Sequence, residues 1–188
     1  GTALSAGIKT YNGAIGVDKD TISVKTMLEI AEEKGMSTGL VATSSVTHAT
    51  PASFAAHVDY RKKEAEIAIQ YANKEIDIIL GGGKKFWPDS LIFEYEKSGA
   101  QYIDDINIKL EKNKRILGLF AEKGLPAANQ MRTPTTTEMA RLALNKLDEN
   151  PNGFFVMIEE SQVDWGGHAN SADYIQGEME SLNNYKLV

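Results

Sequence analysis

The sequence predicts an α/β protein of three layers, an α/β/α sandwich in which helices cover both faces of a largely parallel sheet. Two patterns carry that expectation. β-prone runs alternate with segments of helical periodicity, and residues 154–158 (FFVMI) form an unbroken apolar run, as in a strand covered on both faces by helices. A third observation is bulk. The 188 residues are 42% hydrophobic and 24% charged, which suits one domain with one sizeable core.

Residues 26–34 (TMLEIAEEK) place Met27, Ile30 and Ala31 on one helical face, with Gly35 as the stop. Residues 39–46 (GLVATSSV) read as a short strand. Thr50-Pro51 then reads as a helix start, with Thr50 as N-cap and Pro51 at the first helical position. One amphipathic helix is expected from Pro51 towards Lys74, carrying Phe54, Ile67, Ile69 and Tyr71. It gives way to a strand at residues 76–80 (IDIIL) and a turn at Gly81-Gly82-Gly83. The middle of the chain is less regular. Thr135 and Glu138 form a capping box for a helix through about Leu147, which Asn150-Pro151-Asn152-Gly153 ends before the Phe154 strand. The Gly39, Ile76 and Phe154 runs are expected in one sheet. If flanking sequence is missing, uncovered sheet edges would promote pairing between chains.

Charge and composition narrow the function. A net charge of −6, with both signs interspersed, gives no basic stripe to neutralise a nucleic-acid backbone. No apolar run reaches the roughly 20 residues that span a bilayer, and no charged-then-apolar leader opens the chain. Neither a membrane span nor a signal peptide is read, although a start at Gly1 rather than Met makes the absence of a leader uninformative. Without cysteine, any chemistry falls to His, Asp, Glu and hydroxyl groups, a set that favours hard or borderline metals such as Mg²⁺ or Zn²⁺.

In open parallel sheets functional groups gather beyond the carboxyl ends of the strands. Two clusters fall there, residues 43–51 after the Gly39 strand and residues 159–168 after the Phe154 strand. In the second, Glu159 ends the strand, and Asp164 and His168 stand at i,i+4 spacing, which one helical turn would place on one face. A carboxylate and an imidazole so placed suit zinc at about 2.0–2.2 Å. The plainer alternative stays open: Glu159 solvated, Asp164 capping a turn, His168 satisfying a backbone group. Gly166-Gly167 between the pair also argues against regular helix. Thr50 reads as an N-cap or a ligand, and His48 as a loop histidine. Arg61 reads either as a solvated or salt-bridged side chain or as a bidentate phosphate clamp. Trp165 reads as a core aromatic.

Taken in order, several blocks resemble the alkaline phosphatase family. Residues 1–18 (GTALSAGIKTYNGAIGVD) are similar to the stretch that follows the family's nucleophilic serine. His48-Ala49-Thr50-Pro51 with Arg61, residues 79–84 (ILGGGK), residues 117–120 (LGLF), and Gly153 through Glu159 to Asp164 and His168 match further blocks in sequence. The resemblance covers nearly the whole chain and is weakest over residues 86–114 and 185–188. It implies a three-layer α/β/α catalytic domain, here a single partial one over residues 1–188. It further implies magnesium ligands at Thr50 and Glu159, two ligands of one zinc at Asp164 and His168, and the substrate phosphate on Arg61. His48 and Trp165 would tune the site from beside the metal cluster. Phosphate monoesters would be the substrates, hydrolysed through a phosphoserine, in a protein that is often a homodimer and is periplasmic or extracellular.

The departures carry their own expectation. By the family pattern the serine lies a few residues before Gly1, an aspartate that bridges metals lies earlier still, and Asp-His and His ligands lie far beyond Val188. A parent reading frame that encodes Asp-Ser-Ala just ahead of Gly1 would fit this pattern. The chain alone is therefore expected to be inactive and to hold metal weakly. The competing readings are a phosphodiesterase or sulfatase of the same superfamily, against which Arg61 in register after Thr50-Pro51 argues, and a non-catalytic α/β module.

Overall fold

The computed structural model describes residues 1–184; residues 185–188, one of the two stretches where the resemblance is weakest, lie outside the described residues. The chain opens with α1 (Thr2–Ala6), closed by Gly7 in the left-handed conformation, and runs irregularly to α2 (Met27–Glu33). Thr26 and Glu29 cap α2 reciprocally, each side chain bonded to the other's backbone N–H. The buried pair on α2 is Leu28 and Ala31, whereas Met27 and Ile30 are about two-fifths exposed, at 41% and 40%. This corrects the expected Met27–Ile30–Ala31 face. Leu28 belongs to the core that α2 joins with α3 and the sheet, and that contact sets the helix rotation.

β1 (Ser37–Ser45) follows, then α3 (Ala49–Ala55) and α4 (Glu64–Ala72). The single helix expected from Pro51 towards Lys74 is thus two helices. At Ala56 the backbone becomes extended, φ −135° and ψ 162°. The next residues bond to the start of the chain instead of to their own helix. Ile15 and Val58 exchange backbone hydrogen bonds at 3.0 and 2.9 Å, and the Arg61 N–H donates to the Gly13 carbonyl at 2.7 Å. Arg61 therefore sits in a loop. Thr50 is not the N-cap: His48 takes that position, Thr50 is the second residue of α3, and Pro51 the third, where no intrahelical N–H is needed. Ile67 and Tyr71 of α4 are buried, but Ile69 is 52% exposed.

β2 (Ile78–Gly82) includes Gly81 and Gly82, so only Gly83, at φ 100°, turns. A Cβ on Gly82 would lie 1.9 Å from the Lys123 carbonyl oxygen; the glycine admits a neighbouring loop against the strand. Then come α5 (Asp89–Lys97), β3 (Ala100–Ile103), β4 (Arg115–Leu119), α6 (Thr136–Leu147), β5 (Phe154–Glu159), α7 (Gln162–His168) and α8 (Ala172–Asn184). The Thr135–Glu138 capping box stands as expected.

The five strands form one parallel sheet in the order β3-β4-β2-β1-β5, so the three expected runs are neighbours in it. Period-two alternation divides the core. Leu40, Ile79 and Leu117 pack with Phe54, Ile67, Tyr71, Trp87 and Tyr95 on one face. Val41, Ile78, Leu80 and Ile116 pack with Met139, Ala143 and Leu147 on the other. The fold is the expected α/β class with helices on both sides. β5 departs from its expected double cover. Like β3 it is an edge of the sheet among the described residues, and of its side chains only Met157 is buried.

Candidate functional site

β1 and β5 pair in register from Ser37–Phe154 to Ala42–Glu159 and end close together, so the segments leaving them meet. The last residues of β1, Thr43, Ser44 and Ser45, are buried, as is Thr47 beyond it, and the chain then reaches His48. Glu64, in the first turn of α4, accepts hydrogen bonds from the Ser45 and Thr47 hydroxyls at 2.6 and 2.8 Å and so secures this turn.

His48 is the hub. Its Nε2 lies 2.9 Å from Nη2 of Arg61; a guanidinium only donates, so Nε2 accepts and the ring proton belongs on Nδ1. Nδ1 is buried and has no hydrogen-bond partner among the described residues. Burial lowers the His48 pKa and the Arg61 charge lowers it further, against the pull of Glu159, Glu64 and Asp164. The imidazole is therefore neutral at pH 7. Trp165 meets the ring edge-on, with centroids 6.1 Å apart and planes at 82°. The indole can lie there because residue 124 is glycine, whose Cβ would fall 2.6 Å from the Trp165 ring.

From β5, Glu159 is half-buried and its Oε2 accepts the Ser161 hydroxyl at 2.5 Å. Ser161 in turn accepts from the Ser44 N–H at 3.3 Å, tying the two strand ends together. Asp164 and His168 then stand one turn apart on α7, both exposed, with Oδ2 and Nε2 3.5 Å apart. The expected helix-breaking at Gly166-Gly167 does not occur. Gly166 is buried where α7 meets α8, and a Cβ there would approach Ile175 to 3.0 Å, so close helix packing explains the glycine. Arg61 also lines a cleft of about 300 Å³ with Lys9, Asn12 and Ser53.

Arg61, His48 and Trp165 are thus in contact, Glu159 and Asp164 act on His48 through their charge, and His168 touches Asp164. Thr50 stands half-buried in the first turn of α3. Among the described residues no hydrogen bond or ion pair joins Thr50 to Glu159, or Glu159 to the Asp164–His168 pair, and no three His, Cys, Asp or Glu side chains form a metal-holding group. The donor set still suits a metal in part. Two ligands about 2.0–2.1 Å from a tetrahedral zinc lie about 3.3 Å apart, close to the 3.5 Å between Asp164 and His168.

Sequence reasoning missed Glu160. It is buried and accepts from Arg132 Nη2 at 2.8 Å and from the Thr136 hydroxyl at 2.6 Å, while Arg132 Nη1 donates to Glu178 at 2.8 Å. Burial pushes the Glu160 carboxyl up, the Thr136 and Arg132 contacts oppose this, and Glu178 adds to the rise. The available signal was its place beside Glu159 at a strand end, where successive side chains point to opposite faces.

The comparisons with known proteins bear on the family and the fold. The family model "Alkaline phosphatase" matches residues 1–185. Alkaline phosphatase 3 and alkaline phosphatase 4 of Bacillus subtilis are 47% and 43% identical over 96% and 97% of the chain, which spans 42% of the length of each. The alkaline phosphatase of the Antarctic bacterium TAB5 superposes with a TM-score of 0.91 at 36% identity, over 98% of this chain and 56% of that one. A cold-active enzyme from Shewanella sp. gives 0.92 at 36% identity, over 98% of this chain and 47% of that one. Two TAB5 variants have been solved with magnesium bound. A single family match running through β1, the Arg61 loop, β5 and α7, together with the shared fold, settles the membership: the chain belongs to the alkaline phosphatase family.

Proposed function

We propose that these residues form one part of the active site of a metal-dependent phosphomonoester hydrolase, and that the 188-residue chain does not turn over by itself. The observation that carries the reading is the gathering around His48 of an arginine, two carboxylates and an indole at the carboxyl ends of β1 and β5. Arg61 binds the phosphoryl oxygens through its two terminal N–H groups, the geometry that a guanidinium offers and an ammonium lacks. His48 accepts from Arg61 and so fixes the plane of the guanidinium. Asp164 and His168 would hold one zinc, and Thr50 and Glu159 a magnesium, with Ser161 orienting the Glu159 carboxylate through its hydroxyl. Bound metal would supply positive charge against the phosphoryl oxygens during in-line displacement. A serine outside these residues takes the phosphoryl group and gives it up to water, as the family resemblance implies. Phosphate monoesters as substrates, a homodimeric parent and a periplasmic or extracellular site belong to the same reading.

Two protein donors are too few for a zinc site, which takes three or four. Incubated with a chromogenic phosphomonoester at alkaline pH, with zinc and magnesium added, the chain is expected to release no product above background. Robust turnover would overturn the assignment of the nucleophile and direct attention to Thr43, Ser44 and Ser45.

A further inference from the structure

The loop that carries Arg61 is fastened to the start of the chain, and one fastening is ionic. The Ile15–Val58 hydrogen bonds and the bond from Arg61 N–H to Gly13 tie the backbones together, and the Tyr11 hydroxyl donates to the Asp59 carbonyl at 2.9 Å. The His57 side chain completes the attachment. Its Nδ1 is 2.6 Å from the Gly16 carbonyl oxygen and its Nε2 is 2.8 Å from Oε1 of Glu29.

A carbonyl oxygen can only accept. Glu29 is an acceptor too, because the Thr26 N–H donates to its Oε2 at 2.9 Å and the Lys74 ammonium to its Oε1 at 2.5 Å. Two acceptors facing two ring nitrogens require a proton on each, and that species is the imidazolium. Gly16 makes the approach possible: at φ 58°, a Cβ would lie 2.1 Å from the Ala56 carbonyl oxygen and 2.8 Å from His57 Nδ1.

We infer that His57 is a positioning residue for the Arg61 loop, a cationic clasp that binds residues 56–61 to Gly16 and α2 while protonated and lets go when it loses a proton. The groups facing it are Glu29 on α2, Lys74 beyond α4 and the neutral Gln70 on α4, with Glu32, Lys25 and Glu33 around the same cleft. The hydrogen bond to Glu29, with that to the Gly16 carbonyl and the Glu29 charge, raises the His57 pKa above its ordinary 6.5 against the opposing effects of burial and Lys74. Burial pushes Glu29 up, but its bonds from His57, Lys74 and Thr26 reverse this and carry it well below the usual carboxylate range. A neutral imidazole would lose its bond to either the Gly16 carbonyl or Glu29, and Glu29 would keep only its donors from Thr26 and Lys74. Gln70 brackets the His57 backbone through both its N–H and its carbonyl, at 2.8 and 2.9 Å, so the residue stays anchored to α4 when the ring releases.

The benefit to phosphate binding rests on the reading of Arg61 proposed above; the clasp itself does not. Imidazole ¹⁵N NMR of the chain across a pH titration tests it directly, paired with amide exchange at Ile15, Val58 and Arg61 corrected for intrinsic rates. Both His57 nitrogens should carry protons at neutral pH, with a midpoint above 6.5. Amide protection should fall between 6.5 and that midpoint, by about tenfold for each pH unit separating them, and be flat outside the interval. Glu29→Gln, which keeps a residue suited to the capping box, should lower the midpoint, and Lys74→Met should raise it further. One protonated nitrogen at neutral pH, a midpoint at or below 6.5, or protection at Arg61 that ignores the midpoint would each overturn the clasp. Should either variant fail to fold, the titration of the unmodified chain still decides. If inorganic phosphate leaves the Arg61 guanidinium resonances unmoved, the reading of Arg61 fails while these observations stand.

Discussion

Glu159 and Glu160 are neighbours at the end of β5, yet they serve two polar clusters of opposite character. Glu160 points into the protein, where it and Glu178 share Arg132, with side-chain exposures of 2%, 0% and 1%. Glu159 faces the other way, toward His48, and beyond it Asp164 and His168 stand 75% and 81% exposed. In the first cluster nearly every polar atom is bonded to another part of the chain, so the cluster holds α8 and the segment before α6 onto the sheet. In the second, bonding atoms are left over: His48 Nδ1 has no partner among the described residues, and the Asp164–His168 pair is open to water. Spare bonding capacity on exposed carboxylate and imidazole groups marks the place where something else binds, whereas in the closed cluster Arg132 Nε alone among its charged-group atoms lacks a partner among the described residues.

The largest expected effect would come from breaking the closed cluster. Arg132→Met should destabilise the chain by about 3–5 kcal/mol in chemical denaturation, because it leaves two buried carboxylates without their cation. A loss under about 1 kcal/mol would mean that the cluster is not the structural half of the comparison.

A smaller effect should follow pH at the clasp, which is intermediate in burial. Because the folded His57 pKa is raised, its contribution to stability is fully present below the ordinary 6.5 and is lost as pH rises through the folded value. Its size is about 1.4 kcal/mol for each pH unit that separates the two values, read as the difference in unfolding free energy between the chain and His57→Gln over that interval.

The smallest effect belongs to the open cluster. His168→Ala should change stability by less than about 0.5 kcal/mol without metal, yet remove any zinc-dependent rise in melting temperature. A zinc response that survives the substitution would place the metal elsewhere.

Local signals carried most of what could be read from the sequence. The Thr135–Glu138 box, the Phe154 run and the Gly39 run fell where expected because caps and β-prone runs act over a few residues. β3 was missed since it is only four residues long and its Gln101 side chain is bound to Lys109 and Glu111 of the following loop. The break between α3 and α4 was missed for a different reason: its cause is the pairing of Val58 with Ile15, more than 40 positions away. Within the site, residue identities were legible, and it was their neighbours that were not. Ser161, Ser44 and Glu64 matter through contacts that form only when β1, β5 and α4 converge.

The position of β5 at the sheet edge also bears on how the chain behaves in concentrated solution. Its six residues, Phe154–Glu159, hold no proline or glycine and bear a single charge, at the last position. One side of that backbone bonds to β1, while no strand lies on the other among the described residues. A six-residue apolar segment of high β-propensity with free backbone donors is the kind that seeds stacked, intermolecular strands. Colloidal lifetime, unlike folding, depends on how often two such edges meet. Turbidity and light scattering should therefore rise steeply with protein concentration, and a lysine at Val156 should slow that rise.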